Sequence, residues 1–428
     1  MANLKTKTIL VWDSGSFFET ALKLADYYKE VLYFVPWVSG FPGMDKWAIG
    51  REWKNKVDTG TFDGKNFRRI ESFWDHLEEA DVIFHTDVYG GDEMEHCRSL
   101  GYPVCSSGKL ASLETMRWET MVMFKKHGMD VAPMKRVVGI EALKEELKKV
   151  TDKYIKISKF RKCTETFHHD TYDLSLPIIR RMENDLGPLS TVLEFIICDP
   201  IDAVVEEGVD AYSVSGKYPQ VILSGIEKKD QCYVGQITPY DKLSPGVKRT
   251  NEQLAPILKE GKYRGFFSTE VRTTKDGDNY LIDPTMRLPQ PPSALYGEMF
   301  SNLGDIIWSI AEGEILDIKP VAKYGIYVTL YSDWYDDGHQ SIMFPDKYRD
   351  NVKLNYPVKI DGKYYCLNIN NFPEVGAIVA VGDSYEECKK KIEEVCKEVK
   401  GYGVSMKTEK IDEAIKEQLA TMKGNGTK

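Results

Sequence analysis

The sequence predicts an α/β protein, α+β in parts, divided into several domains. Three observations lead there. In the first 110 or so residues, short apolar strands alternate with helical segments, the pattern of a parallel, Rossmann-like sheet. Residues 265–292, GFFSTEVRTTKDGDNYLIDPTMRLPQPP, read as a strand, a tight turn and a second strand, which marks an antiparallel unit later in the chain. Finally, 428 residues with 42% hydrophobic content bury more core than one domain holds, so two to four units are expected.

Composition narrows the function. A net charge of −9 and a pI near 5.5 argue against a binder of nucleic-acid backbones. The run Lys389-Lys390-Lys391 reads as a solvated helix face. No apolar run approaches the ~20 residues of a membrane span, and the N-terminus enters a strand without a signal-peptide pattern. Eight scattered cysteines without a CxxC pair favour free thiols in a reducing cytoplasm over a disulfide framework or a zinc site. A cytoplasmic monomer or homodimer is expected.

Taken in order, residues 8–12 form an apolar strand, Asp13-Ser14-Gly15-Ser16 a turn and 18–28 a helix. Strands follow at 31–35, 81–85 and 102–105. The turn at Ser14-Gly15-Ser16 opens toward the ligand-binding edge of such a sheet; it is either a phosphate contact or a plain strand-to-helix turn. The loop from Pro36 to Asp63, with Trp37, Trp47 and Trp53, either shapes a substrate pocket or serves packing. Residues 113–127 make an amphipathic helix stopped by Gly128, with Pro133 beyond.

Residues 154–158 alternate as a strand, with Tyr154, Lys156 and Ser158 on one face and Ile155 and Ile157 on the other. His168 and His169, adjacent on a strand, point apart, which favours a solvated segment over a metal site. Residues 190–197 read as a strand, and 202–216 as two strands joined by a turn. After the hairpin come a helix at 301–312, strands at 321–330 and 375–380, and a helix from Tyr385 to Lys400 with a Ser384–Glu387 capping box. A final amphipathic helix carrying Ile411, Ile415, Leu419 and Met422 either packs back or meets a partner.

The hairpin carries the chemistry. Side chains alternate along each strand, so Glu270 and Asp283 can share a face. Two converging carboxylates offer the hard oxygens Mg²⁺ uses when it also holds nucleotide phosphates. Arg287 follows four residues after Asp283, within reach of a phosphate or an oxyanion.

These residues resemble the metal-binding hairpin of the ATP-grasp superfamily, whose second strand usually reads acid, any residue, Asn, any residue, Arg. Asp283 takes the acid's place and Arg287 matches the Arg, while Thr285 stands where Asn is usual and would coordinate more weakly. The order of the domains is similar to that of the phosphoribosylamine–glycine ligase family. The resemblance implies a Rossmann-like domain at 1–110, a two-subdomain ATP-grasp core at 111–188 and 189–318, a small C-terminal domain at 319–408, and a terminal helix and tail at 409–428.

It also implies roles. ATP with Mg²⁺ or Mn²⁺ would be bound, with Glu270, Asp283 and Thr285 on the metal. Lys156 would hold phosphates, Arg117 stands where the family has a basic residue, and Glu194, Phe195 and Ile196 would form the adenine hinge. Asp202 would be the second hinge acid, with Asp199 competing. The alternatives for Arg117 and Glu194 are an exposed helix Arg and an acid on an ordinary core strand. The segment 159–167, which contains Arg161 and Lys162, lacks the glycines of the family's phosphate flap. The loop Leu288-Pro289-Gln290-Pro291-Pro292 also departs from the usual form. The implied activity is ATP-dependent joining of a small-molecule carboxylate to an amine through an acyl phosphate, with Arg287 and Lys156 catalytic. A small-molecule kinase and a non-catalytic nucleotide binder on the same scaffold are the alternatives.

Overall fold

The computed structural model describes residues 2–36, 62–159, 166–333, 339–367 and 373–424. The expected tryptophan-rich loop (Trp37, Trp47, Trp53) and the flap residues Arg161 and Lys162 lie outside them.

The first sheet contains β1 (Thr8–Trp12), β2 (Glu30–Phe34), β3 (Phe67–Ile70), β4 (Val82–His85) and β5 (Val104–Cys105). All are parallel, in the order β3-β2-β1-β4-β5. Ile9, Leu10 and Val11 expose no surface, as a parallel strand covered on both faces requires. β3 is an addition to the strands read from the sequence. Arg68 and Arg69 break its apolar pattern, and Arg68 is matched by Glu30 at 3.0 Å.

The strand order reverses between β1 and β4, and a crevice opens at their carboxyl ends. Asp13 fills it, accepting hydrogen bonds from Tyr33 Oη (2.6 Å), Thr86 Oγ1 (2.7 Å) and the Phe17 amide (3.1 Å). Burial pushes its carboxyl up to about 6. Gly15, at φ +96°, lies against the ring of Tyr356, and a Cβ there would collide with it. The Ser14-Gly15-Ser16 turn is therefore a covered strand-to-helix turn, leading to the helix Phe18–Leu24.

β6 (Met134–Val138), β7 (Lys153–Ile157), β8 (Thr166–His169) and β9 (Glu194–Cys198) form a separate antiparallel sheet in the order β6-β9-β7-β8. Helices Ile140–Leu147 and Tyr172–Leu186 cover one face, burying Ile155, Ile157 and Phe195 in a core of their own. His169 is buried against Ser175 Oγ at 2.8 Å, so it belongs to this core rather than to a solvated segment. The single helix expected from 113 is two, Ser112–Thr115 and Arg117–Lys126, because Met116 leaves helical geometry at φ −101°, ψ 62°.

The third sheet has nine strands. β10 (Ala203–Val214), β11 (Val221–Lys228), β12 (Cys232–Pro239), β13 (Arg264–Thr274) and β14 (Asn279–Thr285) form its first part. Residues 202–216, expected as two strands, contain the single strand β10, because from Val205 to Val214 the ladder to β13 runs through Gly208 without a break. The order β14-β13-β10-β11-β12 continues directly into β15 (Tyr324–Ser332), and β20 and β17 extend it. Here β16 is His339–Ile342, β17 Val352–Leu354, β18 Pro357–Ile360, β19 Lys363–Leu367, β20 Glu374–Gly382 and β21 Val404–Met406. β16, β18 and β19 make a small separate sheet, and β21 pairs with β15.

Helix Tyr385–Glu398 begins with the expected cap, the Glu387 amide donating to Ser384 Oγ at 3.1 Å. The last helix, Ile411–Gly424, packs back onto β11 and β12. Among the described residues the seven cysteines are free, and no helix is long and apolar enough to cross a membrane.

Candidate active site

A cleft of about 700 Å³ lies between the four-stranded sheet and the nine-stranded one. Its centre is the β13–β14 hairpin. From the turn side the ladder pairs Thr273 with Asn279, Arg272 with Tyr280 and Val271 with Leu281, which would next bring Glu270 opposite Ile282. Instead Glu270 pairs with Asp283, and Ile282 is left over as a bulge. Without the bulge, strict alternation would turn Asp283 to the same side as Leu281 and Val271, both buried in core. With it, Glu270 and Asp283 share the cleft face, joined by the Thr285–Ser268 pair.

Two cations reach Asp283 from across the cleft, Lys156 from β7 and Arg117 from the start of the helix Arg117–Lys126. Lys156 Nζ donates to Asp283 Oδ2 at 2.7 Å and to the Ile282 carbonyl at 3.0 Å. Arg117 Nε lies 3.7 Å from Asp283 Oδ1, and its Nη1 donates to the Ile157 carbonyl at 2.9 Å. Arg117 is only 4% exposed and lines the cleft, which excludes the exposed helix Arg. Arg287 enters just past β14, held by Glu114: Arg287 Nε lies 3.1 Å from Oε1, and the Met286 amide donates to Oε2 at 2.6 Å. Although burial raises the Asp87 carboxyl, the nearby Arg287 guanidinium holds it below the ordinary value.

The hinge differs from expectation. Ile196 lines the cleft, but Glu194, Phe195 and Asp202 do not. Pairing of β9 with β6 puts Glu194 opposite Val138, roughly 13 Å of strand before the cleft-lining end at Cys198. There Glu194 faces Arg136 at 3.5 Å. Alternation turns Phe195 into the core. Asp199, directly after β9, takes the cleft position and pairs with Lys153 at 2.8 Å.

The sequence reading missed the acids of the far wall, because nothing in a strand pattern marks which polar face is concave. Asp210 on β10 accepts from Tyr233 Oη at 2.7 Å, and burial pushes its carboxyl up to about 6. Glu227 on β11, although exposed at the cleft surface, has its carboxyl pushed up to about 8, first by loss of water around it and then by the charges of Asp210, Glu270 and Asp230. Glu114, a buried acid inside an amphipathic helix pattern, gave no signal either.

Glu270, Asp283 and the Thr285 hydroxyl are hard oxygen donors. Among the described residues no three acidic, His or Cys side chains converge on one point. Two carboxylates and a hydroxyl are the kind of donors an ion such as Mg²⁺ uses when phosphates and water complete its shell.

This architecture matches solved structures along nearly its whole length. Phosphoribosylamine–glycine ligase from Thermotoga maritima superposes with a TM-score of 0.67 at 19% identity, over 93% of this chain and 98% of that one. The fold is that of the ATP-grasp enzymes. Biotin carboxylase from Campylobacter jejuni, in a complex with an ATP analogue, shares it at a TM-score of 0.62 and 14% identity, covering 99% of this chain and 96% of that one. So does the biotin carboxylase domain of Hydrogenobacter thermophilus 2-oxoglutarate carboxylase, with MgADP and bicarbonate bound, at 0.60 and 11%, covering 97% and 98%. No protein-family model and no curated protein matches the sequence. Within the ATP-grasp fold, the cleft described above lies between the two sheets of the core.

Proposed function

We propose that the protein is an ATP-dependent ligase that joins a small-molecule carboxylate to an amine through an acyl phosphate. One observation carries this reading: Lys156, Arg117 and Arg287 gather at the cleft face where a bulged hairpin presents Glu270 and Asp283. Two of these cations, Lys156 and Arg117, meet at the single carboxylate of Asp283, more than a plain structural ion pair needs.

Glu270 and Asp283, with Thr285 beside them, would hold Mg²⁺, which when bound supplies neutralisation of phosphate charge. Lys156 and Arg117, now engaged with Asp283, hold the phosphate chain as fixed positive groups. Arg287 steadies charge on the transferring phosphoryl group, and Glu114 fixes its direction. In the first step a carboxylate oxygen of the substrate attacks the γ-phosphorus and the bond to ADP breaks. In the second, the amine nitrogen attacks the acyl carbon, phosphate leaves and the nitrogen sheds a proton. Asp210, on the cleft wall, would accept that proton. Positioning and electrostatics suffice for both steps, and no protein nucleophile is required. Asp199 at the end of β9 takes the nucleotide-hinge role in place of Glu194 and Asp202.

The fold likeness supports this reading, and ADP with Mg²⁺ is bound in the Hydrogenobacter relative. The test is thermal melting with ATP and Mg²⁺ in wild type and Asp283→Asn, followed by ADP release across carboxylate and amine pairs. A Mg²⁺-dependent rise in Tm that the substitution removes is expected. No shift in wild type at millimolar ATP overturns the proposal, and ADP release indifferent to any amine turns it toward a kinase.

A further inference from the structure

The last helix, Ile411–Gly424, lies on the back of the β11–β12 hairpin and reaches the rim of the cleft. Its apolar anchors, Ile411, Ala414 and Ile415, all lie in its first turns. Beyond them the helix is held by polar contacts: Gln418 Nε2 donates to the Ser224 carbonyl at 3.3 Å, and Leu419 is exposed. Glu413 and Glu417, one turn apart on the same face, both reach Lys228 Nζ, at 3.0 and 2.7 Å. Lys228 and Glu417 are themselves lining residues of the cleft, at its rim, where the pleat of β11 turns Lys228 to the face opposite Glu227.

An ammonium gripped by two carboxylates is not available to a third anion. An oxyanion arriving at Lys228 must displace Glu417 and meets its repulsion until it does. We propose that Glu417, backed by Glu413, is an internal oxyanion that competes with the phosphate oxygens of a nucleoside triphosphate for Lys228. The last helix thereby sets the affinity of the cleft for that ligand. This rests on the nucleotide reading of the cleft given above. The apolar anchors and the buried Gln418 hold the helix on the sheet, so the half-exposed Glu417 side chain can give up Lys228 without the helix leaving it.

The experiment is calorimetric titration of full-length wild type and the E413Q/E417Q double variant with MgATP, and with adenosine as a phosphate-free control. The double variant is expected to bind MgATP about three-fold or more tightly than wild type, the scale of an exposed ion pair, with adenosine unchanged. Adding Lys228→Met to the double variant is expected to remove the gain. Should the double variant melt well below wild type, E417Q alone replaces it. Unchanged or weaker MgATP binding in the variant, beside a wild type that binds, overturns the role of the helix and leaves the nucleotide cleft standing. An equal gain for adenosine also overturns it, since that reports general loosening. Failure of both proteins to bind MgATP overturns both readings.

Discussion

Lys156 Nζ lies 2.7 Å from Asp283 Oδ2, although the two residues are 127 positions apart and belong to different sheets. Together with Arg117, Lys156 ties the two walls of the cleft through the carboxylate assigned to the metal. Nucleotide phosphates and a cation would take over both halves of that contact, exchanging one set of charge pairs for another.

Lys156→Met is accordingly expected to lower ADP formation by about 10²–10³-fold, the usual loss when one charge-stabilising donor is removed. Asp283→Asn should cost at least as much. Both variants should remain folded, as near-native circular dichroism would show. Turnover at the wild-type rate in either one sinks the assignment.

Glu114→Gln keeps an acceptor for the Met286 amide but removes the ion pair to Arg287. Charge-assisted hydrogen bonds are worth about 1.5–3 kcal/mol, so kcat should fall by roughly ten-fold or more. Arg287→Ala made on top of it should add little, because both changes disable the same guanidinium; additive losses would show that Glu114 acts elsewhere.

The N-terminal and C-terminal parts are clamped by Arg349, whose Nη2 meets Glu19 at 3.0 Å and whose Nε meets Asp63 at 2.6 Å. Lys359 and Tyr364 also bind Asp63, at 2.8 and 2.6 Å. Arg349→Ala leaves two nearly buried acids without their shared partner and should cost about 3 kcal/mol by denaturant melts. Burial raises the Asp63 carboxyl, but Arg349 and its neighbours bring it below the ordinary value. Its contribution is thus present above the normal carboxylate range and lost as pH falls, so the variant should show a shallower acid limb.

The Glu227 carboxyl, raised toward about 8 by the groups packed around it although the residue is exposed at the cleft surface, takes on its charge as pH rises and adds negative charge to the cleft. MgATP affinity should therefore fall between pH 7 and 9, and Glu227→Gln should flatten that fall. The same shift means that the folded chain keeps a proton the unfolded chain gives up. Its contribution to stability declines as pH rises from about 4.5 toward 8. A flat wild-type binding profile would remove Glu227 from the cleft electrostatics.

Much of the fold and part of the site could be read from residue order alone. The parallel sheet announces itself through residues such as Ile9 and Val31, apolar because both faces are covered. The hairpin does so through Glu270, Asp283 and the Gly277 turn between them. The convergence of the two acids could not be derived, since alternation counted from that turn sets Glu270 against Ile282, and only the bulge corrects it. Register also separates the candidate acids: Asp202 and Asp199 compete in sequence, and the structure leaves Asp199 at the cleft edge, while Glu194, four residues before the end of β9, stands opposite Val138. Arg117 stood at an expected position, yet its burial depends on Ile157 and Asp283, both remote in sequence.

The passage from β12 into β15 has a practical consequence for recombination. Five residue pairs, from Cys232–Val328 to Gln236–Tyr324, join the cleft wall to the C-terminal strands as one ladder. A chimera that swaps in a foreign segment after residue 318 would sever that ladder and strand the amides and carbonyls along β12 as a raw edge, prone to pair with other chains. Grafts of this C-terminal region should therefore travel with β11 and β12, and, because Lys228 grips Glu417, with the last helix too.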